Sequence, residues 1–167
     1  MKKKILTAAI LAALAFSLAA CGAGQSTPAP DSSSTSTGPQ VDLQTFHDAT
    51  VAKHDFGPMH KADDDLVDTL YDGLNDISVT QQLVYTPEAR QNSGDFCLVQ
   101  VQDPEDVAVV EGIFQNRVDI MAGGGAWYDD LIEQWDSNSR IVSNGTCIIL
   151  VVNEDCDGIV EDFNALF

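Results

Sequence analysis

Positive charge is scarce in this chain. Its 167 residues hold 8 Lys and Arg against 26 Asp and Glu, for a net charge of −18, and three of those bases are Lys2, Lys3 and Lys4. Without the first 20 residues, 5 bases face 26 acids and the balance is −21. A surface for nucleic acid or for anionic lipid headgroups needs a basic footprint, so neither is an expected partner. Solubility outside the cell accounts for the acidity, with cation binding as the sharper reading. The chain also has no C-x-x-C, which leaves a zinc knuckle or a thioredoxin-type motif without support. It has no G-x-S-x-G elbow, so a serine nucleophile of that type has no anchor. Gly123-Gly124-Gly125 has no lysine and no strand before it, and therefore reads as a joint between helices rather than a phosphate loop.

What the chain does carry begins at its start. Lys2 to Lys4 form a positive n-region, and the apolar run over 5–20 ends in small residues, as an export signal does. Leu18-Ala19-Ala20-Cys21 is a lipobox. Cleavage before Cys21 would make it the first mature residue and the site of lipid attachment, with a thioether-linked diacylglycerol. Two acyl chains, such as palmitate, suffice for stable anchoring where one is marginal. Residues 1–20 are thus expected to be a lipoprotein signal peptide, and the domain to lie on the extracytoplasmic face of the cell membrane. Residues 21–40 are rich in Ser, Thr, Pro, Gly and Ala and cannot bury apolar surface, so they are expected to be a disordered tether. Residues 41–167 remain for a single domain with one core.

Within that domain, Asp42 caps a helix over 42–53, and Asp63-Asp64-Asp65 opens a second that Gly73 stops. Residues 77–85 are β-branched and rich in glutamine, a strand or an irregular segment, and 87–94 form a polar loop. Residues 96–101 are a strand. Asp103-Pro104 then starts a helix over 104–121 that buries Val107, Val110, Ile113, Phe114, Val118 and Met121. A shorter helix over 127–136 places Trp127, Leu131 and Trp135 at i, i+4 and i+8. Asn144-Gly145 sits between strands 140–143 and 146–152 as a hairpin turn, and a last helix carries Ile159, Val160, Phe163 and Leu166. The class is α+β: an antiparallel sheet of three or four strands, including the C-terminal hairpin, with helices on one face.

Taken with the lipobox and tether, the Asp-rich helix ending in Leu70-Tyr71-Asp72-Gly73-Leu74, the strand and long helix over 96–121, the short aromatic helix and the acidic opening of the last helix resemble a known family. It comprises small, mostly Gram-positive lipoproteins catalogued as domain of unknown function 4358. Leu83-Val84-Tyr85-Thr86-Pro87 departs from its pattern, in which methionine-rich residues are expected. The resemblance implies a surface-anchored domain and carries over no catalytic residue.

Candidate chemistry is sparse. Asn153, Asp155, Asp157 and Glu161 imitate a calcium loop, but Asn164 stands where a bidentate acid belongs and a strand precedes the loop, so capping of the last helix explains the same acids. Asp63, Asp64, Asp65 and Asp68 point to different sides of a helix and are expected to solvate it. His47, His54 and His60 are expected at the surface rather than on a metal. Acylation leaves Cys97, Cys147 and Cys156, an odd set. A bridge from Cys97 to Cys147 needs neighbouring strands with side chains on one face, and buried free thiols are the expectation. Trp127, Tyr128 and Trp135 form a ligand surface if exposed, although helical spacing favours core positions for Trp127 and Trp135. No cofactor is implied. The leading function is a non-enzymatic binding domain for a protein, peptide or small molecule. A calcium-dependent domain and a cell-envelope hydrolase are the alternatives.

Overall fold

In the computed structural model, residues 41–88 and 94–167 are described. The signal peptide, Cys21 and the tether expected over 1–40, and residues 89–93 of the polar loop, lie outside them. The elements run α1 (Leu43–Lys53), β1 (Met59–Lys61), α2 (Asp64–Leu70), β2 (Val79–Pro87), β3 (Phe96–Val101), α3 (Val107–Ile120), α4 (Asp129–Ser137), β4 (Ser139–Asn144), β5 (Cys147–Val152) and α5 (Cys156–Asn164). The fold is α+β. All neighbouring strands are antiparallel, in the order β1-β2-β3-β5-β4. Five strands form the sheet, against an expected three or four.

The capping expectations hold. Asp42 Oδ1 accepts from Gln44 N and Thr45 N, and Asp63 Oδ1 accepts from Leu66 N. These close helix-start donors that would otherwise lack partners. Pro104 opens a single tight turn before α3, as the rigid ring at a first helical position favours. The hairpin is present one residue along: Asn144 pairs with Cys147, so the two-residue turn is Gly145-Thr146, with Gly145 at φ +59°.

Helices cover both faces of the sheet, not one. One core joins Val84, Cys97, Val99, Ile148 and Leu150 to Val67 and Tyr71 from the α2 end, Phe114 of α3 and Trp135 of α4. The opposite core joins Leu83, Phe96, Leu98, Ile149 and Val151 to Phe46 of α1 and Phe163 of α5. Side chains alternate across a strand, so central strands covered on both sides must be apolar at every position. That is the pattern of β5, where all six residues are buried. The same alternation keeps two cysteines apart. Cys97 pairs in register with Leu150 and belongs to the first core, whereas Cys147 belongs to the second. No bridge can cross the sheet, and Cys97, Cys147 and Cys156 are buried free thiols.

Of the positions expected to be buried on the long helix, Val110, Phe114 and Val118 are fully covered, while Val107, Ile113 and Met121 are half-buried against the first core. The glycine joint opens a wide turn, Met121–Gly125, closed by Ala126 N donating to Met121 O, with Gly124 at φ +106°. No helix of the described residues is long and apolar enough to cross a membrane.

Candidate functional site

The start of β3 places a carboxylate where an apolar strand begins. Val152 N donates to Asp95 O, which ties that backbone to β5. Gly94 lies so close to Val152 that a Cβ on it would fall 2.2 Å from Val152 Cβ. The chain passes there because glycine has no side chain, and Asp95 is carried inward until it is 1% exposed. A buried carboxylate must be paired. The Tyr71 hydroxyl donates to Asp95 Oδ2 at 2.6 Å, and Arg117 Nε, from the last turn of α3, donates to the same oxygen at 3.1 Å. Cys97 Sγ donates in turn to the Tyr71 hydroxyl at 3.2 Å. The Arg117 guanidinium lies over two rings, 5.2 Å from the Trp135 centroid and 5.9 Å from that of Tyr71.

This pair lies at the base of a cleft of about 450 Å³, within the range of small-molecule sites. Leu66 and Leu70 of α2 form one wall; Met121, Gly125, Ala126 and Trp127 of the joint, with Leu131 and Trp135 of α4, form the other; His60, Thr86, Pro87 and Glu88 close the end. Both tryptophans of the chain line it. Their places differ from the expectation of two core residues. Trp135 is buried at 3% exposure, but α4 begins only at Asp129, and Tyr128 before it is extended at φ −131°, ψ 143°. Trp127 therefore falls outside the helix on the cleft's rim, 74% exposed. Tyr128 is 47% exposed and does not line the cleft.

Burial sets the protonation of the group. It holds the Asp95 carboxyl above its ordinary range against the attraction of Arg117. It raises the Tyr71 hydroxyl well above its usual value, with Asp95 adding to the effect. It does the same to the Cys97 thiol, and raises Cys147 and Cys156. Thiols shifted upward stay protonated at neutral pH and are poor nucleophiles.

The other candidates are drawn into structural roles. Asn153 Oδ1 accepts from Asp155 N, and its Nδ2 donates to Asp55 O. Asp155 Oδ2 lies 2.8 Å from His54 Nδ1. Arg140 donates to both carboxylate oxygens of Asp157, and Glu161 is exposed. Among the described residues no three His, Cys, Asp or Glu side chains form a group able to hold a metal ion. Asp63 caps α2, and Asp68 accepts from Asn75. The expectation of surface histidines fails at two of three positions. His47 is 6% exposed, stacked on Tyr85 with ring centroids 3.8 Å apart, and His54 is 9% exposed. Both line a separate hollow of about 720 Å³ beside Phe56-Gly57-Pro58, whereas His60 is exposed and lines the cleft. An aromatic patch on β2 and β3 covers the first ring and Asp155, directly before α5, meets the second, contacts that sequence spacing along α1 does not contain.

Sequence reasoning missed Tyr71, Asp95 and Arg117 as site residues. The available signals were an acid directly before an apolar strand, and an arginine at i+7 from Val110 and i+3 from Phe114, on the buried face of a helix in a chain poor in bases. Compared with protein-family models, curated proteins and solved structures, the chain matches none.

Proposed function

We propose that the protein is a lipid-anchored, extracytoplasmic binding domain without catalytic activity, whose ligand enters the cleft between α2 and the joint that links α3 to α4. The cleft carries the reading: an apolar hollow with a few convergent polar groups at its base and an exposed tryptophan on its rim is how ligand sites are built. Cys21 in its lipobox supports the anchor. The kinship with domain of unknown function 4358 belongs to the same proposal; it concerns the layout of anchor, tether and domain and supplies no activity. Neither the calcium-dependent reading nor the hydrolase has a comparable observation behind it.

Two measurements test this. Intact mass of the membrane-extracted chain should show cleavage before Cys21 and an added diacylglycerol, and Cys21→Ala should shift the protein from the membrane to the soluble fraction. A membrane-bound Cys21→Ala chain with no lipid on the wild type would remove the anchor. For the cleft, a ligand that enters must change the intrinsic fluorescence, because both tryptophans line it.

A further inference from the structure

We infer that the cleft takes a carboxylate carried on an apolar body, held end-on by Arg117. This deepens the binding reading above and rests on it. An arginine offers five N–H donors in a fixed fork. Arg117 gives Nε to Asp95 and also bonds the Tyr71 hydroxyl, which leaves donors of the fork beyond those two partners. This is not a mobile surface side chain: it is 14% exposed, bonded at Nε and stacked over Trp135 and Tyr71, so its outer edge is aimed before any ligand arrives. A guanidinium fixed in this way, lining a cleft with donors to spare, suits a carboxylate bound through both oxygens.

The surroundings narrow the class. Asp95 already balances the guanidinium, Glu88 stands on the cleft's end wall, and the chain is acidic throughout. A single negative charge is therefore tolerated better than the double charge of a phosphate group. Leu66, Leu70, Met121, Leu131, Trp127 and Trp135 supply apolar wall, which asks for an apolar body behind the charge. Asp95 Oδ2 receives both side-chain bonds, from Tyr71 and Arg117. A peptide C-terminus offers an amide N–H beside its carboxylate as a donor to the Asp95 carboxyl. A free aliphatic acid offers only the carboxylate.

The test is titration of the full chain in detergent with N-acetyl-leucine, N-acetyl-leucinamide and hexanoate, read by tryptophan fluorescence and backbone amide shifts. N-acetyl-leucine should bind at least about tenfold more tightly than its amide, with shifts centred on Asp95, Arg117 and Trp127, as expected for a charge-assisted pair. Arg117→Lys keeps the charge but loses the fork, and should weaken the acid far more than the amide, removing most of that preference. Trp127→Ala, at an exposed position, should weaken both compounds without altering the preference. N-acetyl-leucine binding better than hexanoate supports a peptide end as the source, and equal binding supports a free acid; the carboxylate class stands in both cases. Equal affinity for acid and amide, with shifts in the cleft, would overturn the class and leave the binding cleft standing. No cleft shift from any of the three would overturn both. Should Arg117→Lys fail to fold, the comparison of acid with amide on the wild type still decides.

Discussion

The Tyr71 hydroxyl donates to Asp95 Oδ2 at 2.6 Å, joining the C-terminal end of α2 to the start of β3 inside the first core. Both residues are about 1% exposed, so neither can exchange this partner for bulk water. Tyr71 also meets Phe114 edge to face at 5.7 Å, and that contact survives removal of the hydroxyl. Tyr71→Phe should therefore keep the ring packing while removing this bond and the weaker one from Cys97 Sγ. It leaves Asp95 with Arg117 alone and should cost about 1–3 kcal/mol, the penalty for a buried acceptor losing a donor. Urea unfolding measures this. A loss below about 0.5 kcal/mol would mean that the bond adds nothing net.

Asp95→Asn probes the same carboxyl by pH. Burial raises its pKa from the ordinary 3.8, opposed by Arg117, Tyr71 and His60. A group whose folded pKa is raised binds its proton more tightly in the folded state. It adds stability that is fully present below pH 3.8 and is lost as pH rises through the folded value. Asp42, Asp48 and Asp162 are shifted the other way by hydrogen bonds from Thr45, His47 and Lys53, and lose stability as pH falls, but they do so in both proteins. Wild type should therefore gain stability relative to Asp95→Asn between pH 7 and pH 4. A relative loss over this range would show that attraction to Arg117, not burial, governs the carboxyl.

Three thiols are buried and shifted upward, on two different faces of the sheet. In a Cys21→Ala chain, a thiol reagent at neutral pH should leave Cys97, Cys147 and Cys156 unmodified over the time in which the denatured chain reacts at all three. Mass spectrometry counts the labels. Fast native labelling at Cys97 would contradict its burial and its bond to Tyr71.

Sequence carried most of the fold and little of the site. Caps at Asp42 and Asp63, the strand over 96–101 and the hairpin near Gly145 are local signals, set by a few adjacent residues. The second covered face was also written in the chain, because Cys147–Val152 has no polar residue and a half-exposed strand would alternate. The cleft was not legible in this way. Asp95 lies 24 residues after Tyr71 and 22 before Arg117, and the three meet only after α2, β3 and α3 pack on one another. Trp127 misled by its spacing. Helical periodicity put it in line with Trp135, while the left-handed Gly124 and extended Tyr128 delay the helix and turn the ring outward.

Gly94 is the position on which the buried carboxylate depends, and its role can be separated from backbone strain. Its φ is not in the left-handed region, so alanine is resisted only by what its Cβ would strike. That is Val152, with Cβ at 2.2 Å, Cγ1 at 2.3 Å and Cγ2 at 3.0 Å, on a fully buried side chain. Gly94→Ala should therefore destabilise by about 1–3 kcal/mol, the usual range for overpacking. Removing the Val152 methyls would leave its Cβ at 2.2 Å, so only Val152→Gly makes room. Val152→Gly alone leaves a cavity, but the double substitution should be less damaging than the sum of the two by about 0.5–3 kcal/mol, the coupling expected for residues in contact. If the two losses simply add, the close approach is not what demands glycine. The same shift must reach the cleft, because Gly94 is bonded to Asp95 and Val152 N holds the Asp95 carbonyl. Gly94→Ala should alter the fluorescence of Trp135 through Arg117, and the double substitution should restore it.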